Sequence, residues 1–460
     1  MQAVMTAMGT PVVGLLLALV IALCAVAEPE TTLGVAIGGA WTILLVRKIR
    51  QVVRRSLGEG WLARLALAGL WIRFLTLWLH LVLGYLVYGG QVDFAVYFRT
   101  GSRFGQDILS GNFAFFDLPS QPSDLGWALL DRILALNYIL MGPSVVGMFL
   151  VSGLIGFLGS YLFVRAYQMM FPAAREQRFV ALVLFTFPSL VFWSSLLGKD
   201  SWIFLLLGLS AYSLAKILPT PAPQLRDVVA LAVSVLVIGA FRPQIGASMV
   251  VALLCAFSLR LPAYVRRLRG PAAYLRPVVV MPALFLILGL LAGVVAGLRT
   301  FGEGSESLEL SDYLVHSAFN KHIGLANESL AGGSSLPVAI TEASVLGILQ
   351  FIPLGMFTAL FRPLITEAHN AVAVAASLES TALLAIFLAR FPHFVAALRR
   401  APRDPFVLFT LVCFVMFTIA ISFEWNFGVL VRHRTMPMPF LFMLLATPRR
   451  RSASQEDSRA

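Results

Sequence analysis

Charged side chains are what this sequence has least of. Asp, Glu, Lys and Arg make up 13% of its 460 residues, against 59% for the hydrophobic types. A soluble chain of this length needs roughly a quarter of its residues charged to cover its surface. A water-soluble globular protein is therefore excluded. Cysteine is scarce too, with only Cys24, Cys255 and Cys413 present. Each lies in an apolar run far from the others, which excludes a disulfide framework and a Cys-based metal site, and fits small buried apolar residues. The soluble-enzyme motifs are missing as well: no phosphate-binding glycine loop, no His-Glu-x-x-His and no Gly-x-Ser-x-Gly. Their absence argues against an ATP-using cytoplasmic site. Residues 1–10 carry no basic side chain, so the first apolar run reads as a retained span rather than a cleaved signal peptide.

What is there is a succession of apolar runs near the length of a bilayer crossing. The formal charge of +12 does not indicate a nucleic-acid partner, because the basic residues sit in short clusters between those runs. Hydropathy places spans at 11–27, 31–46, 66–88, 145–164, 179–197, 201–217, 228–241, 246–259, 278–298, 371–390, 406–423 and 428–447. Orientation follows from four basic clusters: Arg47 to Arg55, Arg260 to Arg276, Arg399 to Arg403, and Arg449 to Arg451. The positive-inside rule puts all of them in the cytoplasm. An odd number of crossings must then separate residue 300 from residue 391, so the apolar run 344–361 is expected not to cross fully. The fold expected is an all-α polytopic membrane protein with about twelve transmembrane helices, both termini cytoplasmic. It forms one transmembrane domain over 1–447, followed by a polar, disordered cytoplasmic tail at 448–460.

Two long segments face outward in this topology. In 89–144, Phe104, Ile108 and Leu109, then Leu125, Trp127, Leu130 and Leu134, pattern as two juxtamembrane amphipathic helices on the outer face. In 299–343, Gly302, Gly304, Gly332 and Gly333 mark flexible ends around a middle that could order over substrate.

The same topology brings polar residues from separate parts of the chain to the outer face, where their cost at membrane depth points to function. Arg242 and Arg362 each stand in a Phe-Arg-Pro triplet, and proline ends a helix there. Arg432 and Arg434 precede Met436-Pro-Met-Pro439, and Lys199 sits between two spans. Arginine forks suit phosphate oxygens, so Lys199, Arg242, Arg362, Arg432 and Arg434 form a candidate phosphate cradle. The rival reading has each one snorkelling to the interface. Asp93 opens the run Asp93 to Gly101, which also holds Tyr97 and Arg99, and is the candidate general base, its alternative being a helix cap. Asp200, Glu367 and His433 are supporting candidates beside the cations. His369 is placed to orient Arg362. Glu379 sits mid-span and is expected to hydrogen-bond a neighbouring helix. Arg73 and His80 share the third span and are expected to face the bundle interior. Asp312, His316, Lys321 and His322 of the second outer segment read as scattered solvated charge, the alternative being contact with an acceptor sugar.

At these residues the pattern resembles the GT-C superfamily of polytopic glycosyltransferases. The resemblance rests on a span followed by Asp93 and an outer segment with two juxtamembrane helices, and on the run Phe187 to Asp200, similar to a tightly turned helix pair. The segment Asn426 to Arg434 with Pro437 and Pro439 also resembles the closing part of bacterial polysaccharide-assembly proteins, and the outer arginines resemble those of oligosaccharide repeat-unit polymerases. Two spans precede the one leading to Asp93, and one acid stands where the superfamily has a pair. The resemblance implies a bacterial inner-membrane enzyme of cell-surface polysaccharide or glycolipid assembly. Its donor would be a polyprenyl-phosphate- or diphosphate-linked sugar, and its acceptor a glycan or lipid. Membrane lipid and a polysaccharide-assembly complex are the further partners implied. No cofactor is required, and a divalent metal has no evident ligand cluster. The readings from other classes are a lipid or solute transporter or flippase and a non-catalytic assembly scaffold.

Overall fold

In the computed structural model, the described residues are 60–113, 125–172, 174–220, 223–267, 345–368, 371–424 and 427–449, with a few between 36 and 51. The expected spans 11–27 and 278–298, most of 31–46, the second outer loop, His369 and nearly all of the tail lie outside them. Every regular element among the described residues is a helix. We number these α1 Trp61–Leu81, which continues as a π-helical turn over Val82–Val87, α2 Asp93–Leu109, α3 Leu125–Met141, α4 Val145–Met170, α5 Gln177–Thr186, α6 Pro188–Trp193, α7 Lys199–Ile217, α8 Leu225–Phe241, α9 Pro243–Arg267, α10 Val345–Phe361, α11 Ala371–Ala389, α12 Phe391–Arg400, α13 Pro405–Ile421, α14 Phe427–His433 and α15 Met438–Leu444.

Four of these are long and apolar enough to cross a membrane: Trp61–Val87, Val145–Met170, Lys199–Ile217 and Pro243–Arg260. A fifth arises if Ala373–Ala389 and Phe391–Arg403, bent by 61° at Arg390, count as one span. The chain is thus, over its described part, an all-helical protein built for several membrane crossings. The expected span at 179–197 is not one helix. It divides at Phe187 into α5 and α6, because Pro188 has no amide to continue the ladder. The expected span at 428–447 likewise divides into α14 and α15 across residues 434–437. The run at 344–361 is a helix of 17 residues, about 26 Å at 1.5 Å per residue, against a hydrocarbon core of about 30 Å.

Proline places the helix ends that matter most. α8 stops at Phe241 and α9 starts at Pro243, with Arg242 in extended conformation between them. The Arg242 carbonyl accepts from the amides of Ile245 at 3.0 Å and Gly246 at 3.1 Å. The turn is tight because a side chain on Gly246 would meet the backbone of Gly239. α10 stops at Phe361, before the cis Arg362–Pro363 bond.

The chain divides into two compact units, residues 1–161 with 191–205, and residues 162–190 with 206–460. In the first, α2 packs closely on α3. Gly101 faces Leu134, Gly105 faces Tyr138, and Gln106 Nε2 donates to the Tyr138 hydroxyl at 3.1 Å. In the second, phenylalanines form the core: Phe440 of α15 makes edge contacts with Phe163, Phe409 and Phe417 at 5.4–6.0 Å.

Candidate functional site

In the first unit, α2 begins directly at Asp93, whose exposed carboxylate lies in the first turn, where the helix dipole favours an acid. Tyr97, one turn on, is buried with its ring 5.6 Å from that of Trp127. Lys199 Nζ sits 3.6 Å from the centre of the Trp127 ring, a cation–π contact. Burial pushes the carboxyl of Asp131, one turn along α3, above the usual range, while Lys199 and Arg132 pull it back. Tyr97 and Lys199 thus meet on Trp127, beside Asp131. Trp127 and Asp131 were not singled out as site residues by the sequence. The signal available was one acid in an otherwise apolar helical run. Arg99 is exposed, and its Nε donates to Ala95 O at 3.2 Å within its own helix. Asp200 is buried in the first turn of α7.

The same unit holds a buried cation. Arg73, in α1, is 1% exposed. Its Nη1 donates to the hydroxyls of Ser194 at 2.6 Å and Ser195 at 3.0 Å and to Val191 O at 3.3 Å, and its Nη2 donates to Ser160 Oγ at 2.7 Å. Among the described residues its donors meet hydroxyls and a carbonyl but no carboxylate, and Nε has no partner. Neutral dipoles alone therefore solvate this charge. Two turns along α1, His80 stacks on Phe192 at 3.7 Å, and its Nε2 lies 3.0 Å from Phe192 O. Both residues face inward, as the sequence predicted.

In the second unit, the break after α10 gathers three of the predicted residues. Arg362 forms a forked ion pair with Glu367, Nε to Oε2 at 3.0 Å and Nη2 to Oε1. Glu367 also accepts from the Leu364 amide at 2.7 Å, which fixes the carboxylate. Burial lowers the Arg362 pKa from its ordinary value. Arg434 is 1% exposed, and its Nη1 donates to Leu360 O at 2.6 Å and Ser380 Oγ at 3.0 Å. Ser380 Oγ in turn donates to Arg362 O at 3.3 Å. One serine therefore links the two predicted arginines. Next to it in sequence, Glu379 accepts from the Ser189 amide at 3.0 Å, the neighbouring-helix bond that was expected. Arg434 Nε and Nη2 and Glu379 Oε1 are buried without a hydrogen-bond partner among the described residues, and the two opposite charges act on one another. His433 Nδ1 stands 3.6 Å from Glu424, an acid the sequence did not single out. Arg432 is half-buried, and its carbonyl accepts from Thr435 Oγ1 at 2.8 Å in the turn between α14 and α15. Arg242 is half-buried between α8 and α9.

Two chemistries are available here. Arg362 keeps N–H groups beyond the two given to Glu367 and can still bind an oxyanion. Arg434 is enclosed and acts through position, holding the α10 carbonyl end and Ser380. No group of three or more His, Cys, Asp or Glu suited to a metal ion occurs among the described residues. Compared with known proteins, the chain matches no family model, no curated protein and no solved structure.

Proposed function

We propose that the chain is a membrane glycosyltransferase of cell-surface polysaccharide or glycolipid assembly. It transfers a sugar or oligosaccharide from a polyprenyl-phosphate or diphosphate carrier to an acceptor on the non-cytoplasmic face. It has about twelve crossings with both termini in the cytoplasm of a bacterial inner membrane. The observation that supports this most is the link from Arg362 through Ser380 to Arg434 at the end of α10. Held at a proline-broken helix end with N–H groups beyond those given to Glu367, Arg362 suits the phosphate of a lipid-linked donor, and Arg434 fixes the helix end beside it. Arg362 stabilises the charge on the departing carrier phosphate, and Glu367 orients the guanidinium. The general base that the sequence offers is Asp93, exposed at the start of α2. No nucleotide enters the reaction.

The experiment is consumption of a labelled polyprenyl-diphosphate oligosaccharide in membranes holding the full chain. Arg362→Ala should lower turnover about 10²–10³-fold, the range for losing one charge-stabilising donor, while Arg362→Lys recovers part of it. Loss in Asp93→Asn as well marks base-assisted transfer. Loss confined to the arginine variants marks the polymerase-type reaction, which uses outer arginines. Movement of intact lipid between leaflets with no bond cleaved would overturn both in favour of a transporter.

A further inference from the structure

α12 is the most amphipathic helix of the second unit, and it leaves the direction of α11 by 61° at Arg390. A cleft of about 920 Å³ opens beside it, lined by Arg399, Arg400, Arg403 and Arg449 with Phe391 and Val395. Its walls are tied together. Arg390 Nη1 donates to Leu445 O at 3.3 Å, and His393 Nδ1 lies 2.9 Å from Thr447 O, so Arg449 is held near α12. One carboxylate borders the cleft, and it is already committed. Asp404 accepts from Arg400 Nε at 2.8 Å and caps α13 through the amides of Phe406 at 3.1 Å and Val407 at 3.3 Å. Arg399, Arg403 and Arg449 are exposed, and no hydrogen bond or ion pair joins them to another described residue. Among the described residues the cleft therefore carries an excess of positive charge.

The apolar part of the helix indicates what fills that space. Phe391 is 47% exposed and Leu398 44% exposed on the same ten-residue helix. In water these rings and branches would stand uncovered beside a cluster of arginines. At a membrane surface each half is matched, the apolar side chains by acyl carbon and the cations by phosphate. We propose that this cleft binds the phosphodiester headgroup of an anionic phospholipid in the leaflet that the basic clusters face. Arg399, Arg403 and Arg449 hold the phosphate oxygens, and Phe391 and Val395 lie against the first acyl carbons. This site does not depend on the function proposed above.

The test uses the full chain in neutral detergent, with phosphatidylglycerol, phosphatidylcholine or inorganic phosphate added, and counts bound lipid by native mass spectrometry. Phosphatidylglycerol is expected to bind in preference to phosphatidylcholine. Each of Arg399→Gln, Arg403→Gln and Arg449→Gln is expected to weaken it about fivefold, from roughly 1 kcal/mol per basic residue near an anionic surface. The triple variant compounds the loss. If that variant fails to fold, the three single variants decide the matter, since their side chains are exposed. Equal binding by every single variant and the native chain overturns the site. So does full displacement of phosphatidylglycerol by millimolar inorganic phosphate, which would make the cleft a free-phosphate site instead.

Discussion

Arg73 shows how a charge is accommodated when its partners are neutral. The guanidinium is an isolated buried cation, and the three serine hydroxyls around it replace water. Removing a hydroxyl leaves the charge under-solvated, whereas removing the charge leaves serines that can satisfy themselves; Ser195 already donates to Val191 O at 2.7 Å. The Ser160→Ala and Ser194→Ala double variant should therefore lose more stability than Arg73→Met. About 1–3 kcal/mol is expected for each lost hydroxyl, read by thermal unfolding in detergent. A larger loss in Arg73→Met would show that the cation itself is the stabilising partner.

Asp131 gives a pH prediction of definite sign. Burial raises its folded pKa above the unfolded value, so the folded state holds more protons between the two. Stability then falls as pH rises through that window and recovers as pH drops. Asp131→Asn should flatten this slope and lose nothing at neutral pH, as measured by unfolding across acid and neutral buffers. Neither residue's partners could be read from the sequence. That Arg73 and Glu379 point inward follows from their place in apolar runs, but Ser160, Ser194 and Ser189 as their partners depend on contacts far apart in the chain.

At the scale of elements, proline was the readable signal where it stood at the edge of an apolar run. Both Phe-Arg-Pro triplets and the Met-Pro-Met-Pro segment fall at helix breaks. Pro188 was missed because its flanks are apolar on both sides, and hydropathy averages over a missing amide. The outer segment was legible as two helices from its period, but their closeness rests on glycine. A Cβ on Gly101 would come within 2.5 Å of Leu134 Cβ and 3.2 Å of its backbone carbon. Gly101→Ala must push α2 from α3, at a cost of about 1–3 kcal/mol for overpacking. The accompanying movement should reduce cross-linking between cysteines placed at Gln106 and Tyr138. Undiminished cross-linking and unchanged unfolding would show that the helices can part freely.

At the scale of the whole molecule, composition settled the class, and the basic clusters are the ground for the orientation proposed. That orientation is open to a direct measurement. In a chain with Cys24, Cys255 and Cys413 replaced, Arg403→Cys should react with a membrane-impermeant thiol reagent only from the cytoplasmic side, and Ser110→Cys only from the opposite side. Both positions are exposed. Labelling from the exchanged sides would reverse the proposed placement of Arg362 and Asp93, and labelling of both from one side would overturn the topology itself. The number of crossings was not legible from hydropathy alone. Windows of hydropathy find apolar length, and several runs here fall on helices that are broken or no longer than 17 residues, near the lower limit for a crossing.

The serine cage described around Arg73 fixes more than a charge. To rotate or ratchet along its axis, the helix carrying that guanidinium would have to strand it in hydrocarbon, away from Ser160, Ser194 and Ser195. That helix is therefore a stationary post within its unit. Any gating stroke must be taken up by segments with no such anchor.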